Sequence, residues 1–187
     1  MSGGALWDTA LAFAIPLAWL VVSLQDNDFV NTNGCSIVSE ISNYALTPLA
    51  CIFLAWKDNY GTALGLLAAM LLQSGMVNLI KHRTYVERPT GSPYSFPSGH
   101  AASASTVSYY LLFTLLYKCE KNPGCGMLLI SGTLLWAWHA SCCRLNEGKH
   151  YPADLAGAHI IALVVSLSMI LLLKVQHLGY NRVAPIE

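Results

Sequence analysis

The chain has 187 residues, 55% of them hydrophobic and only 11% charged, with ten Lys and Arg against ten Asp and Glu. Soluble domains carry about 25% charged residues, so a water-exposed surface of this size is excluded and an integral membrane protein is expected. The net charge of zero lacks the basic footprint of a nucleic-acid partner, and the length suits a single domain over 1–187.

Apolar runs of about 20 residues cross a bilayer as helices. Six such spans are predicted, giving an all-α integral membrane bundle with its active site at one membrane face. The first covers residues 5–24, with Pro16 as a kink. It is read as retained, because residues 1–6 hold no Lys or Arg and Asp8 stands where a signal peptide would be basic. The second covers 41–56 and is broken by Pro48. The third covers 61–80, where Gly61 and Gly65 form a small-x3-small pattern for close helix packing. A polar, proline-punctuated loop over 81–97 follows. The remaining spans are 98–117, 127–142 and 153–173.

Six spans put both termini on one side and the first, third and fifth connections on the other. The terminal side carries Lys57, Lys118, Lys121, Lys174 and Arg182, and the opposite side Lys81, Arg83, Arg88, Arg144 and Lys149. Lys81, Arg88 and Arg144 have a chemical reason to be where they are. Setting them aside favours a cytoplasmic terminal side. The opposite face then looks outward, as in a bacterial inner membrane with its site facing the periplasm.

Charged and imidazole side chains are costly in lipid, so the few that flank these spans point to function. They fall into three groups: Lys81-x6-Arg88-Pro89, Pro97-Ser98-Gly99-His100 and Cys143-Arg144-x5-His150-x3-Asp154. All three lie on the same expected membrane side. Phosphoryl transfer is mainly positioning and stabilisation of negative charge on the equatorial oxygens. Arginine suits it because its planar fork donates two parallel hydrogen bonds to phosphate. Lys81, Arg88 and Arg144 together can neutralise one phosphate with no metal ion or cofactor.

Ser98 is a good N-cap type, and the first free N–H groups of the helix it opens would point at an anion. Gly99 allows close backbone approach. His100 falls in the first turn, beside the same phosphate. Pro152 is tolerated at the start of the last span, and Asp154 lies in the first turn, where a carboxylate is favoured. From there Asp154 can reach back to His150, fix its tautomer and leave the other nitrogen free to attack.

On these motifs the chain resembles the type-2 phosphatidic acid phosphatase superfamily, which also includes vanadium haloperoxidases. The family pattern is Lys-x6-Arg-Pro, Pro-Ser-Gly-His and Ser-Arg-x5-His-x3-Asp. The resemblance implies a phosphohistidine mechanism without a metal. His150 would be the nucleophile and Asp154 its orienting partner. His100 would be the acid for the leaving alkoxide and then the base for water. Lys81, Arg88, Ser98, Gly99 and Arg144 would hold the phosphate. Cys143 departs from the pattern, standing where the family has Ser, and a thiol is a poorer hydrogen-bond donor.

The expected function is removal of the terminal phosphate from a lipid. Phosphatidic acid, phosphatidylglycerol phosphate, undecaprenyl pyrophosphate and lipid A are all compatible substrates. The alternatives are lipid phosphotransfer and a non-hydrolytic anion-binding transporter. Vanadate-dependent peroxidase chemistry shares the residues, but membrane embedding argues against it. The bland readings cover the rest. His82, Arg83, Glu147 and Lys149 read as loop charges, and His139 and His159 as hydrogen-bonded packing residues. The six cysteines read as buried hydrophobes or free thiols, a bridge from Cys35 having no support in the spacing.

Overall fold

The computed structural model describes residues 45–56, 60–118 and 123–183, together with Cys35, Ile37, Glu40 and Ile41. Among them are five helices: α1 (Leu46–Trp56), α2 (Tyr60–Thr84), α3 (Gly99–Lys118), α4 (Pro123–Asn146) and α5 (Pro152–Val183). The expected span over 5–24 lies outside the described residues. Helices therefore stand where five of the six spans were expected, and the described architecture is all-α.

Several boundaries differ from the sequence expectation: α4 runs from Pro123 to Asn146, which puts Arg144 on the helix and not in the connection, and α5 runs to Val183, and two further differences have a local reason. Pro48 falls in the first turn of the regular α-helix α1, and Ala45 just before it is in wider, π-helical backbone, so the proline is accommodated without breaking the span. Helix α2 continues past residue 80 to Thr84. It stops at Tyr85, whose backbone turns left-handed at φ 49° while its N–H bonds the Lys81 carbonyl at 3.0 Å. Lys81 therefore stands on the last turn of α2, not in the loop.

Helix α3 is the centre of the bundle. It packs on α5 and α4 most extensively, and on α2 and α1. Small side chains make this possible: Ala101, Ala102, Ala104, Ser105 and Ser108 are all buried. The hydroxyls among them stay satisfied. Thr106 Oγ1 donates to the Ala102 carbonyl at 2.8 Å, and Ser108 Oγ to that of Ala104 at 2.9 Å. Ser166 Oγ on α5 crosses to the Thr106 carbonyl at 3.1 Å.

Of the expected small-residue pair, only Gly65 is a close approach. A Cβ there would collide with the Tyr110 hydroxyl and come within 2.7 Å of Leu173, whereas one on Gly61 would meet nothing. The Tyr110 hydroxyl uses that space to donate to the Thr62 carbonyl at 2.8 Å.

The outer faces are apolar. Leu64, Leu67 and Leu71 on α2 and Ile160, Leu163 and Leu167 on α5 are exposed. Tyr60–Thr84 and Pro152–Val175 are long and apolar enough to cross a membrane. Exposed leucine on this scale is a lipid-facing surface, and the protein is a membrane protein. The core lies between α2, α3 and α5, around Leu66, Val107, Tyr110 and Val165.

Candidate active site

The three motifs meet at one end of the bundle. Lys81 comes from the end of α2, Arg88 and Ser98 from the 85–98 connection, and Gly99 and His100 from the start of α3. Arg144 comes from the last turn of α4, His150 from the α4–α5 connection and Asp154 from the first turn of α5. The charges of Arg144 and Arg88 both act on His150, and those of Arg144 and Lys81 both act on His100. Lys81 Nζ stands 3.8 Å from the place a Gly99 Cβ would take. All eight sequence-predicted site residues are thus brought together.

Each local segment is shaped to do this. Helix α4 ends in a left-handed cap: the Gly148 N–H bonds the Leu145 carbonyl at 2.9 Å, with Gly148 at φ 64°. The chain turns there and carries His150 back over Arg144. Pro152 opens α5. The Asp154 carboxylate then accepts the Tyr151 N–H at 2.9 Å, half of a capping box. The same Oδ2 lies 3.2 Å from His150 Nδ1. Asp154 thus caps its helix and holds the imidazole, with the proton assigned to Nδ1 and Nε2 left as the free lone pair.

Loop 85–98 is pinned at both ends. The Ser95 N–H bonds the Val86 carbonyl at 2.7 Å, and the Ser98 N–H bonds the Asp154 carbonyl at 3.1 Å. The Phe96 ring lies against Gly157 on α5, where a Cβ would come within 2.6 Å of it. Ser98 precedes α3 as expected, but its hydroxyl does not cap the helix. It is fully buried and has no hydrogen-bond partner among the described residues. Arg88 Nε and Arg144 Nε are buried and unpartnered in the same way. Three unmatched buried donors at the same end of the bundle are a costly arrangement for a protein alone, and they suit an anion.

Burial pushes the His150 imidazole down from its ordinary 6.5 to about 4, and the positive charges of Arg144 and Arg88 add to this against the Asp154 hydrogen bond. His150 is therefore neutral near pH 7, the form in which a ring nitrogen can attack.

Sequence reasoning missed one member of the site and misread two others. Ser95, fully buried, donates from Oγ to Asp154 Oδ2 and stands 3.5 Å from His150 Nδ1. No spacing rule marks it, because its contact depends on how the loop folds onto α5. Glu147, read as a loop charge, accepts from Arg144 Nη1 at 2.6 Å with both side chains largely buried. Its i,i+3 spacing from Arg144 was the available signal. Cys143, read as a thiol, is disulfide-bonded to Cys35 across 108 residues, so it has no S–H to donate. Cys51 and Cys142 are free thiols, as expected.

The intramembrane histidine expected to pack does so through hydrogen bonds. His159 Nδ1 is 3.0 Å from both Ser105 Oγ and Tyr109 Oη, and Nε2 is 2.9 Å from Ser141 Oγ. A groove of about 510 Å³ opens beside it, lined by Tyr109, Leu134 and Trp138 among others. None of the motif residues lines this groove, so it belongs to the lipid-facing wall and not to the constellation.

The chain is 33% identical over 91 residues to phosphatidylglycerophosphatase B of Haemophilus influenzae, a match covering 48% of this chain and 36% of that protein. The match thus spans about a third of that relative's length. The fold is similar to the crystal structure of a transmembrane PAP2-type phosphatidylglycerolphosphate phosphatase from Bacillus subtilis, with a TM-score of 0.65 at 16% identity. That likeness covers 100% of this chain and 90% of the other. The family model of the PAP2 superfamily matches residues 62–177, more than half of the chain and every one of the three motifs. On that match the chain belongs to the PAP2 superfamily.

Proposed function

We propose that the protein is a membrane phosphatase that removes the terminal phosphate from a lipid phosphate through a phosphohistidine on His150. The observation that carries this reading is the set of buried donors without partners, Ser98 Oγ, Arg88 Nε and Arg144 Nε, beside a neutral imidazole held by Asp154.

Lys81, Arg88 and Arg144 neutralise the phosphate while Ser98 Oγ and the Gly99 N–H donate to its oxygens. His150 Nε2 attacks phosphorus and the bond to the lipid oxygen breaks. Asp154 and Ser95 keep Nδ1 oriented and stabilise the positive charge that develops on the ring. His100 gives its proton to the leaving alkoxide. Neutral His100 then takes a proton from water, the resulting hydroxide attacks the phosphohistidine, and inorganic phosphate leaves. No step calls for a metal ion.

An amphiphilic phosphate monoester fits a site at the end of an apolar bundle. Phosphatidylglycerol phosphate is the first substrate to try, because both relatives are named for it. Phosphatidic acid, undecaprenyl pyrophosphate and lipid A are the comparison substrates. The site is read as facing out of the cytoplasm, toward a periplasm in a bacterium. A disulfide next to Arg144 supports that side, since disulfides persist in oxidising compartments.

The test is phosphate release from this panel by detergent-purified protein, with His150→Ala in parallel. Release from one lipid class that vanishes in the variant is expected. Turnover that survives in His150→Ala would end the nucleophile assignment.

A further inference from the structure

We propose that the Cys35–Cys143 disulfide positions Arg144 for the anion, and that its reduction weakens phosphate binding. The inference rests on the phosphatase reading for its meaning, but not for its test.

Both cysteines are buried to about 1% exposure, so the bond is part of the packing and not a surface clip. With Ala104 and Ala140 they form a small cluster of their own, against which Trp136 packs. Each member adjoins the site. Cys143 immediately precedes Arg144 on the last turn of α4. Ala104 lies four residues after His100, on the same face of α3. Ala140 is one turn before Arg144. The bridge therefore ties down the backbone of the last turn of α4 one residue before Arg144, against the first turns of α3 that carry His100.

The bond also brings a second group to Arg144. Cys35 belongs to the segment that holds Glu40, whose charge acts on Arg144. Arg144 is thus set between Glu147, bonded at 2.6 Å, and the segment tethered through Cys35. Cutting the tether leaves the last turn of α4 with Glu147 as its side-chain anchor on this face. A planar fork gives two parallel bonds to phosphate only when it is held at the right angle, so loosening the turn costs affinity.

The redox step is ordinary thiol–disulfide exchange. A dithiol reductant supplies two electrons and two protons. The Cys35–Cys143 bond breaks, two thiols form, and the reductant closes to its own disulfide. Both partners are on the side proposed to face an oxidising compartment, so the bonded form is the resting one.

The experiment uses the full chain in detergent, oxidised and after treatment with a dithiol. Peptide mapping with alkylation should recover Cys35 and Cys143 as one linked pair before reduction. After the excess dithiol has been removed, since it would reduce vanadium(V), orthovanadate, as a phosphate analogue, should bind the reduced protein roughly tenfold more weakly by calorimetry, the loss of about one charge-assisted hydrogen bond. For the lipid substrate, KM should rise in step, and reoxidation should restore it. Cys35→Ser should behave as the reduced protein does and ignore the dithiol, while Cys51→Ser keeps the response. A bridge that only stabilised the fold would lower the fraction of active protein and leave KM and orthovanadate affinity unchanged, which would overturn the proposal. So would recovery of Cys35 and Cys143 as free thiols, or wild-type affinity in Cys35→Ser. If no lipid is hydrolysed in either state, the phosphatase reading fails, and the orthovanadate affinities still decide the role of the bridge.

Discussion

Arg144 donates from Nη1 to Glu147 Oε2 at 2.6 Å, three residues away and with both side chains largely out of solvent. A guanidinium proposed to hold phosphate is thus already paired with a carboxylate. The pair keeps one edge of the fork fixed, while Nε has no partner among the described residues.

Breaking that pair should be felt in stability as well as in binding. Glu147→Ala leaves a buried cation without its carboxylate, which costs about 3 kcal/mol. Glu147→Gln retains an oxygen to accept the bond and removes a negative charge from beside the anion. Thermal unfolding in detergent should show a clear loss of Tm for the Ala variant and a smaller one for Gln. KM should rise in Glu147→Ala and fall in Glu147→Gln. A Gln variant that binds substrate more weakly than the Ala variant would contradict this role.

Ser95 shares an Asp154 oxygen with His150, so its hydroxyl steadies the carboxylate without touching the phosphate. Ser95→Ala should lower kcat by roughly tenfold, the value of about one hydrogen bond, with KM nearly unchanged. Steady-state kinetics on the purified variant checks this. An unchanged kcat would mean that His150 and the Tyr151 N–H hold Asp154 well enough alone.

Asp154→Asn separates the two tasks of that carboxylate. The amide oxygen can still accept the Tyr151 N–H, so the start of α5 should survive. The charge that orients and stabilises the imidazole is lost, and kcat should drop by about a thousandfold or more. Circular dichroism and Tm should stay close to wild type while phosphate release disappears.

The depressed pKa of His150 has a sign that can be tested. Its folded value of about 4 lies below the ordinary 6.5 of an unfolded chain. Between those values the unfolded state binds more protons, so acid favours unfolding there. The contribution is complete above 6.5 and is lost as pH falls toward 4. Tm should therefore decline more steeply with acid in the wild type than in His150→Gln over that window. Parallel curves would mean that His150 titrates normally.

Much of the site is legible along the chain because its logic is local. Asp154 lies four positions after His150, one turn of backbone, and a proline opens the helix between them. Charged side chains in an apolar chain draw notice wherever they occur, since lipid tolerates them poorly. Those two facts mark Lys81, Arg88, His100, Arg144, His150 and Asp154, and apolar runs mark the helices that carry them. Glu147 was equally local and was misread, because a charge at a helix end looks solvated, whereas its N–H bonds the Cys143 carbonyl and the continued turn sets it beside Arg144.

What the amino-acid order determined by itself is the chemistry and its carriers: apolar helices, and imidazole, carboxylate and cations at spacings set by helical turns. Only the tertiary structure decided which distant groups support them. Ser95 matters because loop 85–98 lies back on α5, with Phe96 seated over Gly157. Cys143 became half of a disulfide because a segment 108 residues away packs against the end of α4. Such pairings carry no period, since two positions far apart in sequence meet only after several helices have packed, and no window along the chain contains both.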